Sequence, residues 1–289
     1  MKVLVTGYKG QLGFDVVKAL TKHGDIPVAV DIEEMDITDA EAVESYVSCS
    51  AVEAVIHCAA YTAVDAAEDN VELCRRINRD GTQNIADACK KHNLKMLYIS
   101  TDYVFGGDGE TPYEISDEKA PQNIYGKSKL LGEDSVIALL RNYFIVRISW
   151  VFGAGGKNFV KTMLNFDKRR KKISVVDDQI GSPTYTADLA PLLVDMINSD
   201  KYGIYHATNE GFCSWAELAE EIFKQAGREI TVEKIPTSDY PTPAKRPFNS
   251  RLSKSSLDEA GFNRLPSWQD AVTRFLTEIG GIKNAGNRK

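Results

Sequence analysis

The sequence predicts a doubly wound parallel α/β sheet, followed by a smaller mixed α/β substrate domain at the C-terminal end. Three observations carry this. Short apolar runs alternate with amphipathic stretches through the first half of the 289 residues. Those runs are apolar throughout, as in strands covered on both faces. A glycine-rich turn, Thr6-Gly7-Tyr8-Lys9-Gly10-Gln11-Leu12-Gly13, directly follows the first run. Right-handed crossovers between such strands place helices on both faces, which makes the fold Rossmann-like.

Val3-Leu4-Val5 reads as the first strand, and the turn after it opens a helical pattern through Leu20. Ile26–Val30 is the second strand and ends at Asp31. A helix begins near Thr38, with Asp36 or Thr38 as its cap. Ala54–Cys58 is the third strand, and a helix from about Val71 to His92 follows. Met96–Ile99 and Phe144–Ile148 are the next strands. The pattern changes after Trp150. Gly153-Ala154-Gly155-Gly156 reads as a flexible loop, Phe159–Arg169 as a helix, and the basic stretch Lys168–Lys172 as a solvated helix end. Ile173–Val176 is a short strand, Ala187–Ile197 an apolar helix and Ile204–Ala207 another strand. Ser214 and Glu217 have the spacing of a capping box. Ile235–Arg251, rich in Pro and polar residues, reads as an ordered loop, and Asn284–Lys289 as a frayed end. The expected division is residues 1–150 as a dinucleotide-binding domain, rejoined by 184–208. Residues 151–183 and 209–283 then form the substrate domain.

Composition narrows the partners. Hydrophobic residues make up 43% and charged residues 26%, an ordinary soluble mixture. The net charge of −6 argues against nucleic acid and anionic membranes. No apolar run approaches membrane-spanning length, and the N-terminus lacks a signal-like stretch, so a cytoplasmic protein is expected. The five cysteines (Cys49, Cys58, Cys74, Cys89, Cys213) include no C-x-x-C pair and read as reduced thiols. The four histidines are scattered without an H-E-x-x-H pattern, so no catalytic metal is expected.

The glycine turn has a function that its spacing explains. Gly7 allows the tight turn, Gly10 lets the backbone approach a pyrophosphate, and Gly13 lets helix and strand pack closely. The helix then presents free N–H groups and its positive dipole end to phosphates. The spacing is G-x-x-G-x-x-G rather than G-x-G-x-x-G, so its weight comes from its place after the first strand. Asp31, at the end of the second strand, can accept hydrogen bonds from ribose hydroxyls and would repel a 2′-phosphate. Asp31–Asp36 holds no Arg or Lys, which favours NADH over NADPH. Lys9 in the glycine loop weighs the other way.

Tyr125 and Lys129 stand four apart in Tyr125-Gly126-Lys127-Ser128-Lys129, on one face if helical. An ammonium beside a phenol is expected to lower the Tyr pKa toward working pH and ready it for proton exchange with a carbonyl or alcohol oxygen. Y-x-x-x-K alone is a common accident of solvated helices. It gains weight from the preceding strand, which ends in Ser100-Thr101-Asp102, because strand C-termini face the cofactor crevice in such folds. Thr101 is expected to hold the reacting oxygen for Tyr125.

On these residues the chain resembles an extended short-chain dehydrogenase/reductase and, within that superfamily, the dTDP-4-dehydrorhamnose reductases. The resemblance spans nearly the whole chain. Its motifs are T-G-x-x-G-Q-L-G (Thr6–Gly13), A-A-Y-T-A-V-D (Ala59–Asp65), S-T-D-Y-V-F (Ser100–Phe105) and Y-G-K-S-K (Tyr125–Lys129). S-W-V-F (Ser149–Phe152), D-Q-x-G-S-P-T (Asp178–Thr184) and R-P-x-N-S-R-L (Arg246–Leu252) are the more specific ones. The resemblance implies that Thr101, Tyr125 and Lys129 are catalytic. It implies cofactor contacts for Gly7, Gly10, Gln11, Leu12, Gly13, Asp31, Asp36, Ile37, Ala59, Ala60, Tyr61 and Thr62, with Tyr125 and Lys129. Thr101, Asp102 and Trp150 would touch the sugar. The implied reaction moves a hydride from NADH or NADPH to the C4 ketone of dTDP-4-dehydro-L-rhamnose, giving dTDP-L-rhamnose. Lys129 would also hold the nicotinamide ribose. A homodimer around magnesium occurs among similar proteins, but no acidic cluster in this sequence points to the ion.

A nucleotide-sugar diphosphate calls for cations, and Lys245, Arg246 and Arg251 cluster in an otherwise acidic chain. Asn158 and Asn249 can add hydrogen bonds, and Trp150 can pack on the sugar. Rival readings differ at particular positions. The 4,6-dehydratases carry Asp-Glu after the strand-four Thr, where this chain has Asp102-Tyr103, so their acid/base pair is incomplete. A 4-epimerase needs only the Thr, Tyr and Lys, but the Ser100–Phe105 and Arg246–Leu252 segments argue against it. In the resembling regulatory subunit of methionine adenosyltransferase the Thr-Asp is altered, whereas here Thr101-Asp102 is intact.

Overall fold

The computed structural model describes residues 1–167 and 171–281. At its centre is a six-stranded sheet built from β1 (Lys2–Thr6), β2 (Ile26–Val30), β3 (Ala54–His57), β4 (Lys95–Thr101), β5 (Tyr143–Ile148) and β10 (Gly203–His206). Every pairing is parallel, in the order β10-β5-β4-β3-β1-β2. The chain leaves β1 for β2 on one side and returns to β3 on the other. The crevice beyond the C-terminal ends of β1 and β3 is therefore a switch point, where such sheets bind ligands.

Both faces of the sheet are covered, which explains strands without alternation. On one face α1 (Gln11–His23) and α8 (Thr186–Ile197) bury Leu12, Val16, Leu20, Leu189, Leu193 and Ile197. On the other, α2 (Ala40–Ser50), α5 (Thr82–His92) and α6 (Ile124–Leu139) bury Val43, Val47, Ile85, Ala86 and Val136. A second lobe has its own core of Phe152, Met163, Tyr185, Phe223, Trp268 and Phe275. Its helices include α7 (Phe159–Leu164), α9 (Trp215–Gln225) and α11 (Trp268–Glu278). Its short strands β8 (Ile180–Gly181), β11 (Cys213–Ser214) and β13 (Asn249–Ser250) form one sheet, while β7 (Lys172–Val176) pairs with β12 (Thr231–Ile235).

One charged pair lies inside this core. Arg147 on β5 and Glu133 on α6 are completely buried, with Nη2 to Oε2 at 2.7 Å and Nε to Oε1 at 2.9 Å. Ser100 on β4 donates to Glu133 Oε1 at 2.5 Å, and Arg147 Nη1 donates to the Ile115 carbonyl at 3.1 Å. The pair thus ties two adjacent strands to the helix that carries Tyr125.

Several local expectations are corrected. Neither Asp36 nor Thr38 caps α2. Asp39 does, accepting from Glu41 N and Ala42 N, while Asp36 Oδ1 holds Thr38 instead. Such a cap contributes about 1 kcal/mol. The helix expected over Val71–His92 is interrupted: α4 (Val71–Arg75) passes into a π-helical turn, Arg76–Gly81, before α5. Helix α7 stops at Leu164 rather than Arg169. Residues 168–170 of the basic stretch and the whole of Asn284–Lys289 lie outside the described residues. The stretch Ile235–Arg251 contains a 3₁₀ turn, Thr237–Asp239, and strand β13. The Ser214–Glu217 capping box forms as expected, each side chain bonding the other residue's backbone N–H.

Among the described residues, no helix is long and apolar enough to cross a membrane.

Candidate active site

The first crossover builds the floor of the site. Gly7 has φ +67°, and a Cβ there would stand 2.8 Å from the Ala59 backbone. A Cβ on Gly13 would meet the Gly7 carbonyl oxygen at 2.3 Å. Gly7 therefore lets the Ala59 segment close on the turn, and Gly13 lets helix α1 pack against that turn. Gly10 stands at its N-cap with no side-chain cap, so the first-turn N–H groups remain open to an anion. A cavity of about 720 Å³ opens above them. Gly7, Gly10, Gln11, Leu12 and Gly13 line it, as do Asp31, Asp36, Ile37, Ala59, Ala60 and Thr62. Open N–H groups, close backbone approach and a long cavity fit a dinucleotide.

Asp31 accepts from Lys9 N at 3.2 Å and from Ile32 N at 2.9 Å. The Lys9 ammonium is bound to Glu33 at 2.7 Å. Lys9, the cation that the described residues place near the Asp31 end of the cavity, is thus paired with a neighbouring carboxylate.

Tyr61 stands outside the cavity wall. Its backbone N–H donates to Asn78 Oδ1 at 2.7 Å, and Asn78 Nδ2 returns a bond to the Tyr61 carbonyl at 3.0 Å. Asn78 Nδ2 also reaches Ser128 Oγ at 2.9 Å, on the helix turn between Tyr125 and Lys129. Asn78 belongs to the π-helical turn, whose added residue turns this side chain inward, a common device at functional sites. A further chain holds the Ala59 loop. Ala59 N donates to Thr6 Oγ1, which faces His57 Nδ1 at 2.7 Å, and His57 Nε2 faces Thr82 Oγ1, which donates to the Asn78 carbonyl. Burial holds the His57 imidazole neutral, down to about 3, so one ring nitrogen accepts while the other donates.

The catalytic candidates meet at the far end of the same cavity. Thr101 ends β4, and Tyr125 and Lys129 lie one turn apart at the start of α6. Asn123 caps that helix at Gly126 N, 2.8 Å away. Gly126 fits closely, since a Cβ there would lie 2.3 Å from the Tyr103 carbonyl oxygen. Lys129 is buried, with Nζ 4.1 Å over the Tyr98 ring, and burial draws its pKa down to about 7.

Two details of the catalytic set differ from the sequence expectation. Burial raises the Tyr125 phenol above its ordinary value, and the Asp102 carboxylate adds to the rise. Lys129 does not offset this, because the same burial disfavours its own charge. Tyr125 therefore rests as a neutral phenol, the form that donates a proton. Thr101 has one hydroxyl proton and donates it to Asp102 Oδ1 at 3.0 Å, while accepting from Tyr103 N at 3.2 Å. It cannot at the same time donate to a carbonyl oxygen. Toward Tyr125 it offers a lone pair.

Asp102 and Trp150 line the cavity. Trp150 has φ +49°, an uncommon conformation for a bulky residue, costing about 1–3 kcal/mol. Its ring stacks on Trp215 at 3.7 Å and lies against Gly181, which holds it in place. The remaining polar candidates do structural work away from the wall. Asn158 caps α7 at Lys161 N and donates to Gln11 Oε1 and the Gly153 carbonyl. Asn249 donates to the Thr111 carbonyl and accepts from Arg251. Arg246 donates to Tyr103 Oη at 2.9 Å and pairs with Asp65 at 2.6 Å. Lys245 reaches Gln122, so the three basic residues do not converge on one point. Sequence reasoning missed Asn78 and Tyr103. Tyr103 was legible within the Ser100–Phe105 motif, whereas nothing local marks Asn78.

A doubly wound sheet, a glycine loop at its first crossover and a Thr-Tyr-Lys set beyond β4 are the marks of the extended short-chain dehydrogenase/reductase class. The chain belongs to the family described as "RmlD substrate binding domain", whose profile matches residues 1–280. It is 41% identical over 285 residues to a dTDP-4-dehydrorhamnose reductase of Aggregatibacter actinomycetemcomitans, covering 94% of this chain and 97% of that one. Among solved structures, a dTDP-4-dehydrorhamnose reductase of Clostridium acetobutylicum superposes with TM-score 0.94 at 39% identity, covering 97% of this chain and 100% of that one. A dTDP-4-dehydrorhamnose reductase of Bacillus anthracis, in complex with NADP, superposes with TM-score 0.93 at 42% identity, covering 96% and 99%.

Proposed function

We propose that the protein is an NAD(P)H-dependent reductase of the C4 ketone of dTDP-4-dehydro-L-rhamnose, forming dTDP-L-rhamnose. The observation that carries this reading is the meeting of the glycine loop, Thr101, Tyr125 and Lys129 around one cavity. The sheet lobe holds the cofactor and the second lobe the nucleotide-sugar. When bound, the reduced nicotinamide supplies a hydride to the ketone carbon. Tyr125 donates its phenolic proton to the ketone oxygen, which completes the hydroxyl. The Thr101 lone pair holds that proton until the ketone oxygen replaces it as acceptor, and Lys129, one turn along α6, holds the cofactor ribose. Asp102 and Trp150 bound the sugar. Cofactor and sugar filling the cavity would keep water from the reacting atoms and strengthen each polar contact.

The test is substrate-dependent loss of reduced-cofactor absorbance, with NADH and NADPH in separate assays. Oxidation with at least one of them is expected; oxidation with neither would remove the reductase reading.

Cofactor choice turns on the Asp31 end of the cavity. Glu33 adds negative charge close to Asp31 and holds Lys9. Glu33→Gln frees the ammonium and removes one negative charge. The ratio of kcat/KM for NADPH over NADH is expected to rise roughly threefold to tenfold, the modest size reflecting solvent screening of exposed charges. An unchanged ratio would show that Lys9 does not reach the ribose end.

A further inference from the structure

Among the described residues, two buried oxygens near the reacting centre lack hydrogen-bond partners: Asp102 Oδ2 and Ser250 Oγ. They come from different lobes. Asp102 follows β4 of the large sheet, and Ser250 ends β13 of the second lobe. Ser250 faces the carboxyl closely enough to favour its charged form, yet the hydrogen bond between them is not closed. Asp102 lines the cavity, whereas Ser250 stands behind it. Ser250 is held there by Gly181, where a Cβ would be 2.9 Å from Ser250 Cβ and 2.8 Å from the Trp150 ring. Only glycine lets Trp150, β8 and β13 approach this closely. Two sequence segments unexplained by the chemistry so far, Asp178–Thr184 and Arg246–Leu252, thus meet behind Asp102.

From this arrangement, and resting on the reductase reading above, we propose that Ser250 is a positioning residue: it holds the free oxygen of Asp102, and Asp102 in turn directs the Thr101 hydroxyl. The direction of that hydroxyl depends on the charge of Asp102. An ionised carboxylate draws the Thr101 proton to Oδ1, as observed at 3.0 Å, and leaves a lone pair toward Tyr125. A protonated Asp102 accepts that proton less well, and Tyr125 loses its orientation. Burial raises the Asp102 carboxyl to about 6, while Ser250 and Thr101 oppose the rise. The titratable groups facing it are Tyr103 from the same turn and Tyr125 from α6; Arg246, reaching in from the loop before β13, is bound to Tyr103.

The sign of the test follows. Removing a donor from a carboxylate disfavours the charged form, so its pKa rises. In Ser250→Ala the acid limb of kcat/KM is expected to move up by roughly one pH unit. Activity should fall about fivefold near pH 6, approach tenfold near pH 5 and stay within about twofold above pH 8, with cofactor affinity unchanged. Ser250→Thr, which keeps the hydroxyl, should retain the wild-type limb. A second readout needs no turnover: the ¹³C chemical shift of the Asp102 carboxyl, titrated by NMR in the whole protein, should show the same upward move in Ser250→Ala. Coincident pH profiles, a loss equal at all pH values, or an unmoved Asp102 titration would overturn the proposal. A wild-type protein inactive toward the ketone would defeat the reductase reading, while the NMR titration would still test the Ser250–Asp102 link.

Discussion

Replacing Tyr125 by Phe is expected to lower kcat by about 10²–10⁴-fold, the range in which a positioned general acid acts. The substitution removes one oxygen and the proton it carries. The ring remains, and its edge contact with Tyr103 at 5.6 Å is retained. Helix α6 is capped by Asn123 and anchored by Ser128, neither of which uses the phenol. Cofactor affinity, followed by fluorescence of the bound reduced nicotinamide, should therefore change little. The loss belongs to the transition state, where the forming alkoxide needs a proton. Near-normal turnover in Tyr125→Phe would remove Tyr125 as donor.

The largest expected effect on stability lies at Arg147. Arg147→Met leaves the Glu133 carboxylate completely buried without its cation. Breaking one side of such a pair costs about 3–5 kcal/mol. A domain's whole stability is about 5–15 kcal/mol, so the variant should lose a large share of it. The midpoint of urea unfolding should drop accordingly. The double variant Glu133→Leu/Arg147→Met removes both charges and should recover much of the loss, because apolar replacement of a whole buried pair is often near neutral. An Arg147→Met protein as stable as wild type would show that Glu133 takes up a proton at little cost.

The legible parts of this protein were those in which a short stretch of sequence decides its own structure. The all-apolar runs at Val3–Val5, Ala54–Ile56 and Met96–Ile99 reveal a doubly covered sheet without knowledge of their neighbours. Gly7 and Gly13 reveal a tight crossover because no other residue fits. Tyr125 and Lys129 needed only a helical repeat to share a face. The illegible parts arise from contacts between distant segments. Asn78 acts by way of a π-helical turn, and its partners Tyr61 and Ser128 lie far from it in sequence. The neutral state of Tyr125 is set by burial and by Asp102, which the Lys129 spacing alone cannot reveal. Asn158, Arg246 and Asn249 look like ligands for a diphosphate because their chemistry suits one. Each also satisfies backbone or charged groups of the scaffold. Trp150 was legible as an aromatic beside a loop, but its left-handed backbone depends on Trp215 and Gly181, neither of them near in sequence.

Transfer of deuterium offers the most direct test of the reductase chemistry. The protein would be given dTDP-4-dehydro-L-rhamnose and NADH or NADPH carrying deuterium at the reactive C4 position, and the product read by NMR. The expected result is one cofactor oxidised per ketone reduced, with deuterium bound to the sugar C4 and the configuration of dTDP-L-rhamnose at that carbon. Product lacking deuterium at C4, or no cofactor oxidation with either nucleotide, would contradict it.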